Sequence, residues 1–311
     1  MTQRLLLRII VAAISSFVLF AALFSLPFAA LPIAYIGLAY GVAQAALVAA
    51  ATLLMVGIIM TPGIAIVFAI LFAAPILVLI RQALLSRRLA DGSFEFYPLP
   101  KLILAALAMT GLGTIFVFSL FGGAAGMPQS FADAMAASPE IKQTLGQIYN
   151  ISTPADMLRV ANLIIVTGFA GWPLLLLGNL QIAQALLVKF NTNLRPATDY
   201  DTLTLPLWLV GVLMACLLLA STTGGWLATL GATLAGIVLT AYFLLGLAII
   251  HAISRPWNGR GFMLAVLYFL LFVMAWVILP VALMGLLDAR FDFRGLNKNP
   301  DKPSETHGDE E

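Results

Sequence analysis

Three amide side chains lie close together within one long apolar stretch of the sequence. Asn179, Gln181 and Gln184 fall in a segment otherwise made of Leu, Ile, Val, Ala and Gly. On a helix, Gln181 and Gln184 would be rotated by only about 60° from one another and would share a face. An amide inside a membrane needs a hydrogen-bonding partner, which is either another helix or a polar ligand. These residues are therefore candidates for a ligand site, and a bond between helices is the competing interpretation.

Two further residues could belong to the same site. Gln44 is the one strongly polar residue of its apolar segment, and Trp172-Pro173 precede Asn179 on the same predicted helix. A proline inside a helix bends it, and the indole would then form an aromatic wall beside the amides. Helix packing is the alternative explanation for each of them.

Charged groups are absent from the interior of every predicted membrane segment. Ion-coupled carriers and proton relays usually place ionisable residues there, so a proton- or sodium-driven pump is not expected. The sequence contains no His-Glu-x-x-His, Gly-x-Ser-x-Gly or Walker-type motif. It has two histidines, His251 and His307, and the single Cys216. We therefore expect a non-enzymatic protein without a metal or cofactor, and nothing in the charge pattern indicates a nucleic-acid partner.

Composition places the chain in a lipid bilayer. Of its 311 residues, 62% are hydrophobic and 10% are charged, and no Asp, Glu, Lys or Arg lies between Arg8 and Arg81. About 20 apolar residues span a bilayer as a helix, and these segments are continuously apolar rather than alternating. The sequence predicts an all-α, polytopic transmembrane bundle. The predicted spans are 9–26, 29–41, 43–60, 63–80, 102–121, 160–187, 206–221, 225–250 and 262–286.

Lysine and arginine counts predict the orientation, because cytoplasmic loops carry the excess of these residues. With nine spans and a cytoplasmic N-terminus, ten of them face the cytoplasm and two, Lys142 and Arg159, face outward. The C-terminal tail then adds four outside, a ratio of 10:6, whereas eight spans give 8:8. Nine spans are therefore favoured over eight. Arg4 and Arg8 precede an apolar run that we interpret as a retained first helix rather than a signal peptide.

Local signals organise the two longest polar regions. In the predicted outer loop, 122–158, Ser138-Pro139-Glu140 has the pattern of a helix start, and an amphipathic helix should follow it along the membrane surface. Thr153 and Asp156 have the spacing of a capping box that begins the next helix. Residues 288–311 are predicted to form a hydrophilic, disordered tail.

Small residues recur at every fourth position of the second and third spans. Gly37, Gly41, Ala45 and Ala49 form this stripe, and Ala12 and Ser16 make a shorter version on the first helix. Such spacing lets two helix backbones approach closely in lipid. The stripe predicts either packing within the chain or a face for a partner subunit.

The arrangement resembles a known family. The residues that carry the likeness are the proline-bracketed 26–32 (LPFAALP), the glycine-marked short spans, Phe96-Tyr97-Pro98 before the fifth span and 287–294 (LDARFDFR) after the last. In these features the chain resembles the YybS-like bacterial membrane proteins. That family is distantly similar to the vitamin-binding S-components of energy-coupling-factor transporters and to the shape-determining protein MreD.

The resemblance implies a division of the chain. Residues 1–190 would form an S-component-like unit of six helices, and 206–287 would be additional transmembrane helices. S-components bind a vitamin near their outer side and dock a coupling subunit through an Ala-x-x-x-Ala face, which Ala12 and Ser16 match in part. The expected location is the bacterial inner membrane.

Two functions follow as expectations. The first is a membrane subunit of a transport system that binds a small neutral or weakly polar molecule, together with a membrane protein partner. The alternative is an envelope-assembly scaffold, similar to MreD, that binds proteins and no small molecule. Apart from membrane lipids, the sequence identifies no particular partner.

The topology can be tested by labelling single cysteines in a Cys216→Ala background. A cysteine at Ser130, in the predicted outer loop, should react with an impermeant thiol reagent in intact cells. A cysteine at Ser86, in the predicted cytoplasmic loop, should react only after the cells are lysed. Labelling of Ser86→Cys alone in intact cells would overturn this orientation.

Overall fold

Most residues of the described chain are helical. The computed structural model describes residues 3–22, 24–88, 92, 94–121, 126–190, 192, 194–195 and 203–291. Its α-helices are α1 (Gln3–Ala21), α2 (Leu31–Tyr40), α3 (Val42–Ile59), α4 (Pro62–Phe68), α5 (Ala74–Leu84), α6 (Leu99–Phe121), α7 (Met127–Ala137), α8 (Pro139–Tyr149), α9 (Pro154–Lys189), α10 (Trp208–Thr222), α11 (Gly225–Ile253), α12 (Arg260–Val273) and α13 (Ile278–Phe291). Shorter elements are the 3-10 turns Leu26–Phe28 and Ala275–Val277, a π-helical turn Ala69–Ala73, and the strands β1 (Ser86–Arg88) and β2 (Phe94–Phe96).

The chain has several helices that can cross a membrane. In the part that the structure describes, six helices are long and apolar enough, or seven if the bent pair α12 and α13 forms one span. Helices α2 and α10 have 10 and 15 residues, which at 1.5 Å per residue is shorter than the ~30 Å hydrocarbon layer. The all-α polytopic prediction is therefore confirmed, and the count of nine spans is not.

The last predicted span, 262–286, is not one straight helix in the structure. Helices α12 and α13 are separated by a 3-10 turn and bent by 119° from one another. Pro280 lies in the first turn of α13, where a missing backbone N–H requires no partner within the helix. Helix α13 also continues to Phe291, three residues beyond the expected start of a disordered tail. Residues 292–311 lie outside the described residues.

The chain folds into two compact units. Unit 1 comprises residues 1–200 and 205–241, and unit 2 comprises 201–204 and 242–311, so the division falls inside α11. In α1, the buried face carries Ile9, Ala12, Ala13, Ser16 and Phe20, whereas larger residues such as Leu7 and Val18 are exposed. The small residues on this buried face let a neighbouring helix approach closely, as is usual for helices packed in lipid.

The first helices of unit 1 run up and down beside one another. Ser16 Oγ donates to the carbonyl of Ala29 at 2.6 Å, and the Arg8 guanidinium donates to the Tyr40 hydroxyl. The segment after α1 therefore returns along α1 towards the N-terminus. Gly41 then turns the chain with a φ of 99°, a conformation that favours glycine, and α3 ascends again.

The later helices of unit 1 show which residues lie at the same end as the N-terminus. Ile80 near the end of α5 meets Gly37 of α2, and the segment after α9 reaches the ends of α5 and β2 through Arg195. Eight of the ten basic residues of unit 1 therefore belong to the end where the N-terminus lies, which we call the N-terminal end. They are Arg4, Arg8, Arg81, Arg87, Arg88, Lys101, Lys189 and Arg195.

The opposite end of unit 1 carries α7 and α8. Ala132 and Met135 of α7 pack against Met157 and Ala161 of α9. Helix α8 begins at Pro139, as expected, but the Ser138 side chain makes no capping bond. No residue of α8 is buried, and its position at a membrane surface stays a prediction.

Helices α10 and the first half of α11 form a hairpin within unit 1. A Cβ added at Gly231 would lie 2.6 Å from the backbone nitrogen of Ala220, so the two backbones touch. Thr240 Oγ1 donates to the carbonyl of Ala170 at 2.6 Å, which joins α11 to α9. That carbonyl lies three residues before Pro173, where a proline disturbs the bonding of the helix.

Unit 2 is held by a second backbone crossing. A Cβ at Gly246 of α11 would overlap the backbone carbonyl of Val281 of α13. One at Gly285 would lie 2.8 Å from the backbone nitrogen of Gly246. The two helices therefore cross at a distance that only glycine permits at both positions.

Because the backbones of α11 and α13 touch at Gly246, even a methyl group at that position should destabilise the protein. Gly246→Ala should lower the melting temperature in detergent, because overpacking a closed contact costs about 1–3 kcal/mol. Gly178→Ala is the control, since nothing lies within 4 Å of its added Cβ. Melting is followed by circular dichroism. Equal melting temperatures for the two variants would contradict the close contact between α11 and α13.

Candidate functional site

Helix α9 carries four of the five residues that the sequence suggests for ligand binding. It starts with the expected capping box: Thr153 Oγ1 accepts from the Asp156 N–H at 3.2 Å, and an Asp156 carboxylate oxygen accepts from the Thr153 N–H at 2.9 Å. The helix then continues for 36 residues with Pro173 in its interior. Its polar side chains therefore lie along a single rod through unit 1.

Trp172 bonds to a break in the neighbouring helix. Its indole N–H donates to the carbonyl of Leu71 at 2.7 Å, inside the π-helical turn between α4 and α5. Pro75 follows Leu71 by four residues and has no N–H to offer that carbonyl. The indole supplies a donor at the place where Pro75 cannot.

Asn179, seven residues further along α9, also donates to a carbonyl in a break between helices. Its amide nitrogen donates to the carbonyl of Pro27 at 2.7 Å, in the 3-10 turn between α1 and α2, and to the carbonyl of Leu175 at 2.6 Å. The residue is 3% exposed. Its oxygen Oδ1 has no hydrogen-bond partner among the described residues.

Gln184 lies near the N-terminal end of unit 1. It is buried, and its amide nitrogen donates to the backbone carbonyl of Arg195 at 2.5 Å. The guanidinium of Arg195 is itself buried and donates to the carbonyls of Ala83 at 3.2 Å and Tyr97 at 3.0 Å. Sequence reasoning treated Arg195 only as a loop charge and missed this role, because the carbonyls that it binds are about 100 residues away in the chain.

The other two candidates lie elsewhere. Gln181 is half-buried on α9. The amide of Gln44, in the orientation that its neighbours require, donates to the carbonyls of Tyr40 at 2.6 Å and Gly41 at 3.2 Å. Gln44 thus closes the end of α2. The structure brings Trp172 and Asn179 to the broken segments and places Gln184 and Gln44 apart from them.

The small-residue stripe is divided between two helices. Gly41 is the turn residue between α2 and α3. A Cβ at Gly37 would lie 2.7 Å from Ile80 Cδ1 and 3.0 Å from Ala45 Cβ, so this part packs inside unit 1. Ala45, Ala49, Ala12 and Ser16 are buried as well.

An aromatic cluster lies beside these polar contacts. Phe72 packs edge-on against Trp172, with ring centroids 4.8 Å apart, and also against Phe20 at 5.6 Å. Phe68 completes the cluster. The arrangement offers apolar ring surfaces and one open acceptor. Among the described residues, no group of three His, Cys, Asp or Glu side chains could hold a metal ion.

Removal of the indole donor tests its role at the break. Trp172→Phe should destabilise the protein by about 1 kcal/mol, since the part-buried Leu71 carbonyl would lose the bond from the indole N–H. Trp208→Phe is the control, because Trp208 is 59% exposed at the start of α10. A thermal melt in detergent that shifts equally for both variants would show that the bond to Leu71 adds nothing.

Comparison with known proteins gives one result. A family model described as "Predicted membrane protein (DUF2232)" matches residues 6–289 of the chain. Neither the curated proteins nor the solved structures provide a match. The match covers α1 to α13 almost completely. The chain therefore belongs to the DUF2232 family of predicted membrane proteins.

Proposed function

We propose that this integral membrane protein is a non-enzymatic subunit that binds a small neutral or weakly polar molecule beside Asn179. The observation that carries the proposal is the Oδ1 atom of that almost fully buried residue, which has no hydrogen-bond partner in the part of the chain that the structure describes. A buried acceptor without a donor costs about 1–3 kcal/mol. A ligand with a hydroxyl or N–H group would remove this cost.

The surroundings favour a neutral ligand. All the basic residues of unit 1 belong to its two ends, so no countercharge is available at the level of Asn179. Ligand sites are usually lined by apolar and aromatic groups with few polar contacts. Phe72 and Trp172 supply such surface, and Trp172 lies about 10 Å from Asn179 along the helix.

Orientation is part of the same proposal. Eight basic residues at the N-terminal end, against Lys142 and Arg159 at the other, favour a cytoplasmic N-terminal end by the positive-inside rule. In a bacterium the proposed location is the inner membrane. The broken segments at Pro27 and Leu71 would then lie closer to the outer side.

A scaffold that binds only proteins is the second candidate. It is favoured by the bonds of Trp172, Asn179 and Gln184, whose N–H groups all serve main-chain carbonyls. In that case the amides maintain the shape of unit 1, and a buried water satisfies Asn179.

A matched pair of variants separates the two functions. Wild-type protein, purified in mild detergent, should carry one compound that untargeted mass spectrometry finds enriched over the bulk lipids. Asn179→Leu should lower its occupancy at least tenfold, which corresponds to about 1.4 kcal/mol. Ser16→Ala is the control: it also loses a bond to the broken segment, at Ala29, but leaves the open acceptor in place.

Four outcomes decide the assignment. Equal occupancy in Asn179→Leu would move the site elsewhere, and retention in a Gln181→Leu, Gln184→Leu double variant would exclude those two amides from it. A protein that co-purifies without any enriched compound would support the scaffold instead. Absence of both from wild type would contradict each proposal.

A further inference from the structure

Strands β1 and β2 form a small hairpin between α5 and α6. Ser86 pairs with Phe96, Arg87 with Glu95 and Arg88 with Phe94 in an antiparallel register. Three-residue strands in a two-stranded sheet are at best marginally stable in water. The hairpin therefore depends on what surrounds it.

The base of the hairpin is fixed to unit 1. The Tyr97 N–H donates to the carbonyl of Leu85 at 2.9 Å, and the Tyr97 carbonyl accepts from the buried Arg195 guanidinium at 3.0 Å. Lys101, in the first turn of α6, lies over the Tyr97 ring at 5.9 Å. These contacts fix the base of the hairpin beside Arg195 and Lys101.

The two faces of the hairpin differ in chemistry. Side chains alternate along a strand, so Arg87 and Glu95 share one face and form an ion pair there. Ser86, Arg88, Phe94 and Phe96 share the other. On that second face Phe94 is 63% exposed, and Arg88 has no ion pair among the described residues.

The position of the hairpin places it at the membrane surface. It begins two residues after α5 ends at Leu84, and its second strand ends three residues before α6 starts at Leu99. Three residues of extended chain reach only about 10 Å, comparable with the headgroup layer of a bilayer. An exposed phenylalanine beside a guanidinium fits a layer that is apolar below and anionic above.

We propose that the face formed by Ser86, Arg88, Phe94 and Phe96 binds the anionic phospholipid headgroups of the leaflet at the N-terminal end. Arginine binds phosphate oxygens with two parallel hydrogen bonds, and the phenylalanine rings enter the acyl boundary. Arg81 and Lys101 add positive charge at the adjoining helix ends. The opposite face, closed by the Arg87–Glu95 pair, does not take part.

An environment-sensitive label on the same face tests this binding. The fluorophore bimane is attached to the cysteine of a Ser86→Cys variant that also carries Cys216→Ala. The full chain is then placed in nanodiscs of phosphatidylcholine with or without phosphatidylglycerol. The emission maximum should move to shorter wavelength as phosphatidylglycerol is added. With Arg88→Gln, the same shift should need about fivefold more phosphatidylglycerol or be lost, as expected for one arginine near an anionic surface.

Arg87→Gln is the matched control, because it removes the same charge from the other face and should keep the wild-type response. Circular dichroism confirms that each variant retains its helices. An identical response of Arg87→Gln and Arg88→Gln, or no response of the parent to phosphatidylglycerol, would overturn the proposal. So would an equal shift produced by inorganic phosphate, or by added soluble protein, in nanodiscs of phosphatidylcholine alone.

Discussion

The structure of unit 1 depends on one constraint: a carbonyl inside a membrane must find a donor, because no water is available there. The helices before α9 are broken at two places, the 3-10 turn at Leu26–Phe28 and the π-helical turn at Ala69–Ala73. Each break releases carbonyls from their own helix. Trp172 and Asn179 supply the missing donors from α9. The long, nearly uninterrupted α9 is what makes the irregular helices tolerable.

Because of this constraint, a polar side chain within a span is interpreted differently when it is a donor than when it is an acceptor. A donor that completes a neighbouring backbone, such as the Trp172 indole, is explained by the fold itself. An acceptor such as Asn179 Oδ1 is not, because breaks in a helix expose carbonyls and therefore require donors. The asymmetry is why the functional proposal rests on one oxygen atom. It also explains why Ser16 and Thr52, which donate to the carbonyls of Ala29 and Ala13, suggest no ligand.

Local sequence predicted much of the helical framework. Pro139 and the Thr153–Asp156 box mark the starts of α8 and α9 correctly, because caps and first-turn prolines act within a few residues. The helical segments expected at 206–221 and 225–250 agree with the bounds of α10 and α11 to within a few residues, although α10 is too short to count as a span. Apolar length alone suffices for such helices.

The missed features depend on distant partners or on very short elements. The strands have three residues each, too few for alternation to show. The π-helical turn near Pro75 is stabilised by Trp172, which is 101 residues away from Leu71. Arg195 looks like an ordinary loop charge until Ala83 and Tyr97 are placed beside it. Candidate residues on α9 were identified by type, whereas their partners required the tertiary structure.

The bond between Asn179 and Pro27 joins residues 152 positions apart. Its consequence concerns biosynthesis. The ribosome releases the Pro27 turn long before α9 exists, and the turn must wait with an unsatisfied carbonyl while several helices are added. Contacts of such high sequence separation form late and leave intermediates exposed. A nascent chain that ends before α9 would lack the donors to the carbonyls of Pro27 and Leu71. These two carbonyls would mark the incomplete chain for membrane quality control.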